Sequence, residues 1–488
     1  MNRPSHTLQA DAGQSIVGLD VGTSGVKAVA IGADGRVAGV ASQHYQLRMP
    51  KPGWAEQDPD AWWRAAKRAL GRLGGQPSAI GLTGQMHGLV CLDGRNRVVR
   101  PAILWNDQRT QAECEEIERR LGLARLVELT GNRALTGFTA PKLLWMRKHE
   151  PDLYRSIARI CLPKDYVRLK LTGEHAIDVS DASGTLLFDV AARKWSDEVL
   201  EALDIPGEWL PRALESQEVS GRTPTGVPVA AGASDQAAGA LGVGVVRPGT
   251  VSVVLGTSGV VFSALDGYIS DPQARLHVFC HAVPDTWHAM GVMLSAAGSL
   301  NWLRGVLGGS YDKLLAQAGE WQPGSEGLLF APYLSGERTP YPDADVRGAF
   351  SGLDLRHDRG ALCRAVLEGV AFGLRDSLEL LRSLGLDPQL ARVSGGGANS
   401  ALWLRIIASV LRLPLEQPAD SEGAAFGAAL LGGVAAGLFA DTTDAVSRCV
   451  RVTDRVEPDE GWADRYDELY PRYRALYPAL RGLSGGEG

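Results

Sequence analysis

The chain lacks the features that mark several protein classes. Its six cysteines, Cys91, Cys114, Cys161, Cys280, Cys363 and Cys449, are scattered without a CxxC pair. Neither a disulfide framework nor a zinc site is indicated, and reduced, cytoplasmic thiols are the default reading. Acidic residues outnumber basic ones, 56 to 50, and the net charge of -6 leaves no cationic excess for a nucleic-acid partner. There is no Gly-Lys dipeptide, so a GxxxxGK[ST] phosphate loop is excluded. No run reaches the roughly 18 apolar residues that span a membrane. The nearest candidate, 424–440, is mostly Ala and Gly with Gly433 and Gly437 at GxxxG spacing, and reads as a buried helix packed close to its neighbours. Met1 to Gln14 lacks the apolar core of a signal peptide, and 1–15 reads as a disordered lead-in.

What is present is an ordinary globular composition, 45% hydrophobic and 22% charged, in 488 residues that suit two large domains. One five-residue turn occurs twice. Gly22-Thr23-Ser24-Gly25-Val26 follows the apolar run 15–20, and Gly256-Thr257-Ser258-Gly259-Val260 follows the apolar run 250–255. Each copy reads as strand, glycine-bounded turn, strand, and such a turn can bring backbone N–H groups and two hydroxyls to a phosphate. One copy alone is more simply a hairpin; two identical copies after buried strands favour phosphate.

Helical and strand patterns alternate along the rest, so the class is α/β. Asp58-Pro59 opens a helix with Trp62, Ala66, Ala69 and Leu73 on one face. A buried strand at 78–82 runs into Gln85-Met86-His87, and a polar cluster, Trp105-Asn106-Asp107-Gln108-Arg109, precedes the helix 110–121. Polar segments at strand ends are where α/β folds place ligand contacts. His87 alone could equally be a satisfied structural histidine. Gly232-Ala233-Ser234-Asp235 ends a short strand and starts an Ala-rich helix, so Asp235 is a plain N-cap or a poised carboxylate. The domain junction is expected near Val246, with a first lobe at 16–245 and a second at 246–485. His277, Cys280, His281 and His288 alternate with apolar residues as a strand does and fit no zinc spacing. Val393-Ser394 followed by Gly395-Gly396-Gly397 and a helix from Asn399 is a second geometry suited to nucleotide. The charged tail after Arg451 carries no readable chemistry.

Seven segments together carry a resemblance: VGLDVGTSGVKA at 17–28, GQMHG at 84–88, RPAILWNDQR at 100–109, GFTAPKLLW at 137–145, LPKDY at 162–166, LGTSGV at 255–260 and PYLSGERTP at 332–340. In these the chain resembles the FGGY carbohydrate kinases, from about residue 16 to about 435. The resemblance implies a two-lobed actin-like, ribonuclease-H-like ATPase fold with duplicated domains around a central cleft. It implies ATP and Mg²⁺ as cofactors and a small sugar as the partner, with a homodimer among the assemblies left open. The implied reaction is phosphorylation of D-xylulose at its C5 hydroxyl, with Asp235 as general base and Asp20 near the metal and phosphates. Mg²⁺ would lie against Asp235 and, indirectly, Asp20. Gln85, Met86, His87, Trp105, Asn106 and Asp107 are implied at the sugar. Thr23, Ser24, Lys27, Gly256, Thr257, Gly298, Gly396, Gly397 and Asn399 are implied at ATP. Alternatives are a kinase for another ketose or polyol, such as ribulose or glycerol, or a non-catalytic actin-like nucleotide switch.

Overall fold

The computed structural model describes residues 15–419 and 422–483. Apart from Ser15, the expected disordered lead-in lies outside the described residues.

Both repeats of the turn are hairpins at the centre of a sheet. In the first, Ile16–Val21 pairs antiparallel with Gly25–Ile31 and parallel with Ala79–Gly84. In the second, Thr250–Leu255 pairs antiparallel with Gly259–Leu265 and parallel with Leu390–Ser394. Each hairpin thus seeds a seven-stranded mixed sheet of the same local plan. The first sheet is completed by Val37–His44 at one edge and by Pro228–Ala230 and Val219–Arg222 at the other, with Ala233–Ser234 continuing beside Ala79–Gly84. The second adds Trp287–Met293 and His277–Cys280 on the hairpin side, and Leu415–Pro418 and Val452–Val456 beyond Leu390–Ser394. The central strands are runs of Val, Ile, Leu and Gly buried on both faces, as parallel-sheet strands covered by helices must be.

Helices form where the sequence supplies both an apolar stripe and an end signal. Pro59–Leu73 starts at Asp58, whose carboxylate accepts from Asp60 N at 3.0 Å, and it buries Trp62, Ala65, Ala66 and Ala69 on the first sheet. The long helix Arg359–Ser383 is capped by Asp358, which accepts from Gly360 N at 2.8 Å and Ala361 N at 3.1 Å, and runs through the core of the second lobe.

One element departs from expectation. The buried helix placed at 424–440 ends at Ala435, and it packs on the first sheet although it follows the second sheet's Leu415–Pro418 strand. Its backbone lies against strand backbone: a Cβ on Gly18 would come within 1.8 Å of Ala425 O, and one on Gly81 within 1.7 Å of Ala428 O. On its other side a Cβ on Gly427 would come within 1.8 Å of Ala238 O in the Asp235–Gly242 helix. A cut of the chain near Val246 separates the two sheets, and this helix is packed across it. The tail is also structured. Val452–Val456 is the edge strand of the second sheet, and Glu460–Arg474 buries Ala463, Tyr466, Leu469, Tyr470 and Tyr473. Tyr466 Oη donates to Glu368 at 2.8 Å and Tyr470 Oη to Asp376 at 2.6 Å, tying this helix to the long one.

The Gly81→Ala variant is expected to push the Ala424–Ala435 helix off the sheet. Overpacking of this kind costs about 1–3 kcal/mol, and more where backbone must move. Urea unfolding should show a lower midpoint, whereas Gly71→Ala, on the open face of the Pro59–Leu73 helix with no atom within 4 Å, should be neutral or better.

Candidate active site

The carboxyl ends of three parallel strands meet at one place. Asp20 pairs with Thr83 across the first two, and Thr83 with Ala233 across the next, so Asp20 and the start of the Asp235–Gly242 helix share one edge of the first sheet. Ser234, not Asp235, caps this helix, its hydroxyl accepting from Ala237 N at 3.5 Å. Asp235 is therefore the first helical residue, relieved of the capping role. A helix N-terminus favours an ionised carboxylate by at most about 2 kcal/mol. Here burial, aided by the negative charge of Asp20, outweighs that and the hydrogen bonds from Gln236, and Asp235 is pushed up to about 7. Burial likewise raises Asp20 to about 6, against the opposing charge of Lys27. Asp20 Oδ1 is buried and has no hydrogen-bond partner.

The first hairpin turn is bound to the polar segments of its own lobe. Thr23 Oγ1 donates to Gln85 Oε1 at 3.2 Å and accepts from Trp105 Nε1 at 3.0 Å, while Gln57 Nε2 donates to Thr23 O at 2.6 Å. Gln85 Nε2 reaches Gln57 Oε1 at 3.2 Å, so one network joins the turn to Gln85 and Trp105. Ser24 is exposed at the tip of the turn. Asn106 Oδ1 is buried with no donor to it.

His87 stands at φ +66°, a left-handed conformation that a residue with a Cβ adopts only under constraint. The constraint is visible: Thr139 Oγ1 and Lys142 Nζ donate to its carbonyl at 3.0 and 2.9 Å, and its ring lies edge-on to Phe138 at 4.6 Å. Its Nδ1 is 2.6 Å from Gly184 O, an acceptor, so Nδ1 carries the proton. Burial lowers the ring to about 3, so it is neutral and Nε2 offers a lone pair. Met86, buried beside it, packs with His87 over Gly184. A cavity of ≈ 610 Å³ opens next to His87. Trp105 and Phe138 line it from one lobe, and His277, Phe279, Glu337 and Arg338 from the other. Arg338 lies close enough to lower both His87 and His277 by its charge. Arg338 belongs to the segment PYLSGERTP, and nothing local in the sequence places it beside the same cavity as His87.

In the second lobe the expected nucleotide residues also converge. Gly256 O accepts from Ala297 N at 2.9 Å, and Thr257 O from Ala296 N at 2.8 Å and Gly298 N at 3.1 Å, so the Ala297–Leu307 helix starts on the second hairpin turn. The Gly395–Gly397 turn follows Leu390–Ser394, the strand beside Thr250–Leu255, and Gly397 is packed on Leu255. Gly396 has open space around it, and Asn399 is exposed at the end of a 3₁₀ turn that precedes the Ala401–Leu411 helix. The histidines at 277 and 288 lie on paired strands and stack with aromatic rings, His277 on Phe279 at 5.9 Å and His288 on Phe262 at 4.3 Å.

Two expected site residues have other partners. Asp107 is fully buried; its carboxylate accepts from Ala55 N at 2.6 Å and from the Arg109 backbone N, Nε and Nη2 at 3.0, 2.9 and 2.7 Å. Its acceptor sites are filled by protein donors, so it shapes the 105–109 loop and is not free for a sugar hydroxyl. Arg109 is in turn held between Trp54 and Trp145. Lys27 forms an ion pair with Glu422 and pairs across the hairpin with Asp20, which sets it apart from the nucleotide residues of the second lobe.

Comparison with known proteins defines the class. Residues 15–242 match the N-terminal domain, and 251–436 the C-terminal domain, of the FGGY family of carbohydrate kinases. The fold is accordingly the two-lobed actin-like ATPase fold. The xylulose kinase of Escherichia coli K12 is 41% identical over 486 residues, covering 96% of this chain and 99% of that protein. A crystal structure of a xyloylose kinase from Brucella ovis has a TM-score of 0.91 at 43% identity, covering 96% of this chain and 100% of its own. The xylulose kinase of Rhodospirillum rubrum has a TM-score of 0.90 at 34% identity, with 96% and 99% covered. The chain belongs to the FGGY family of carbohydrate kinases.

The raised Asp235 has a consequence for stability. An unfolded aspartate ionises near 4, whereas in the fold ionisation is delayed to about 7. Its unfavourable contribution is therefore absent below pH 4, grows as pH rises, and is complete above 7. In the ligand-free protein, Asp235→Asn should melt at a higher temperature than the parent at pH 8, and the difference should vanish near pH 4; scanning calorimetry across this range measures it.

Proposed function

We propose that the chain transfers the γ-phosphoryl group of ATP to the C5 hydroxyl of D-xylulose, giving D-xylulose 5-phosphate and ADP. The reading rests chiefly on the Asp235 carboxylate. It lies at the carboxyl ends of the first sheet with a pKa of about 7, in a chain whose relatives are xylulose kinases. A general base works best when its pKa lies near the working pH, and Asp235 meets that condition for taking the hydroxyl proton as the oxygen attacks. His87 Nε2 can accept a hydrogen bond from another sugar hydroxyl, and Asn106 Oδ1 is a second free acceptor. Trp105, with Thr23 and Gln85 behind it, would cover an apolar face of the sugar. Thr257, Gly298, Gly396 and Gly397 present backbone and space to the nucleotide from the facing lobe.

Phosphoryl transfer is mainly positioning and charge neutralisation. Two raised carboxylates, one with an orphaned buried oxygen, form a donor set suited to a hard cation. Mg²⁺ held near Asp20 and Asp235 would neutralise the phosphates. The six cysteines are buried and unpaired, which supports a reducing, cytoplasmic setting.

Asp235→Asn is expected to lose 10²- to 10⁴-fold in kcat, about 3–5 kcal/mol, with its circular dichroism unchanged; near-normal turnover would remove the base from the mechanism. His87→Ala should raise KM for xylulose more than it lowers kcat. A panel of xylulose, ribulose and glycerol, read by ADP release, should show the highest kcat/KM for xylulose. A preference for either of the others would reassign the substrate while leaving the family intact.

A further inference from the structure

Deep in the first lobe, away from the cleft surface, lies a cluster of five charges with no solvent exposure to speak of. Lys164 Nζ is 2.7 Å from Asp165 Oδ1, 2.6 Å from Asp178 Oδ1 and 2.7 Å from Asp181 Oδ2, and Arg168 Nη2 is 2.6 Å from Asp165 Oδ1. All five side chains are at most 1% exposed. Burying charges costs several kcal/mol each, so such a cluster is a poor device for stability alone. Burial and the neighbouring carboxylates push Asp181 well up, against the opposing charge of Lys164.

Arg168 and Asp165 also bond to Ala176 O and Leu162 N, and three other outward contacts lead to the site. Arg168 Nη2 donates to Ala231 O at 2.6 Å, at the end of the strand before Asp235. The carboxylate of Asp178 accepts from the Ser180 hydroxyl, whose oxygen accepts from Ser234 N at 2.9 Å. Ser216 Oγ also donates to Asp178 at 3.4 Å, and Ser216 O accepts from Gly232 N at 2.9 Å. The four residues 231–234 are thus clamped at Ala231, Gly232 and Ser234. Gly232 makes the bend between them at φ +80°, where a Cβ would come within 2.1 Å of Leu82 O. Ser234 is the cap of the helix whose first residue is Asp235. The same short segment, Val179–Ser183, is followed by Gly184, whose carbonyl orients His87. Ser183 Oγ accepts from Cys280 N of the second lobe at 3.2 Å.

The geometry points to Lys164, Asp178 and Ser180 as positioning residues for the phosphoryl-transfer reaction, a buried relay that fixes Ser234 and so aims the Asp235 carboxylate. The inference rests on the reading of Asp235 as the base. Ser180 is its simplest link: one hydroxyl, donating to Asp178 and accepting from Ser234 N. Without that oxygen the Ser234 N–H has no partner, and the first turn of the helix can rotate the carboxylate away from the attacking hydroxyl. A misplacement of about 1 Å can cost of the order of 10²-fold in rate.

The test compares Ser180→Ala with Ser409→Ala. Ser409 is an equally buried hydroxyl of the second lobe, accepting from Asp459 N at 3.0 Å and donating to Arg405 O at 2.8 Å. Both variants should melt lower than the parent. Ser180→Ala should lose about 10- to 100-fold in kcat with KM for ATP within about twofold, whereas Ser409→Ala should keep its kcat. Placed on Asp235→Asn, Ser180→Ala should cost little more, because a residue that acts through Asp235 has nothing left to aim. A Ser180→Ala enzyme with full kcat, or losses that multiply in the double variant, overturns the relay. If Ser180→Ala does not fold, Ser180→Cys keeps the volume with a weaker acceptor and should fall between parent and a tenfold loss; full turnover there overturns it as well. The turnover of Asp235→Asn by itself decides the base reading, so failure of the one is distinguishable from failure of the other.

Discussion

Backbone-to-backbone contact between the Ala424–Ala435 helix and the first sheet is the constraint on which the rest of the molecule depends. Gly18 and Gly81 on the strands are the places where any Cβ would overlap a carbonyl oxygen of the helix. The contact joins the last third of the chain to its first sheet. On the far side of the same helix lies Asp235–Gly242, with Gly242 packed against Gly423 O and Gly427 N. The two helices that cross between the lobes are therefore built almost wholly of Ala, Gly and Leu. Small residues let the helix axes approach closely, with backbone against backbone. Asp235 sits at the end of one of these helices, so its place is set by this helix contact and by the cluster of Lys164, Asp165, Asp178, Asp181 and Arg168 behind it.

Charge is distributed by function. At Asp20 and Asp235 burial raises the carboxylate pKa towards neutrality. Where a carboxylate is only a brace, as at Asp107, it is saturated by four donors. The sequence shows both as aspartates at the edge of apolar runs, and only the partners tell them apart. His87 follows the same logic in reverse. Its Nδ1 proton is fixed by Gly184 O and its backbone by Thr139 and Lys142, which leaves Nε2 as the single ring atom open to a ligand.

What was legible in the sequence was local. The repeated turn marked the centre of both sheets, because glycine-bounded turns after Val-, Ile- and Leu-rich runs have few other solutions. Asp58-Pro59 marked a helix start through cap chemistry. What was not legible was distant. The composition of 424–440 announced close packing without saying against what, and the partner proved to be strands more than 340 residues upstream. The tail hid a buried helix: Trp462, Tyr466, Leu469 and Tyr473 recur at helical spacing, a signal masked by flanking charge and by Pro471 within the helix. The charged cluster gave no local signal either, since nothing near Asp178, Ser180 and Asp181 in the sequence says that Lys164 and Arg168 lie against them. The family resemblance placed Lys27 at ATP, and in the fold it forms an ion pair with Glu422, from a segment near the other end of the chain.

The crossing helix also bears on how the protein is made. A ribosome releases residues in order, and the first sheet is complete once Ser234 has emerged, yet its glycine-lined face stays bare until Ala435 follows. At about 5–20 residues per second that interval is of the order of 10–40 seconds. For that time Ile16, Val29 and Ile31 lie on a face built for a helix that does not yet exist. A nascent chain in this state presents a grooved apolar sheet to any binder of unfolded proteins, and the first lobe becomes fully native only as the second is finished.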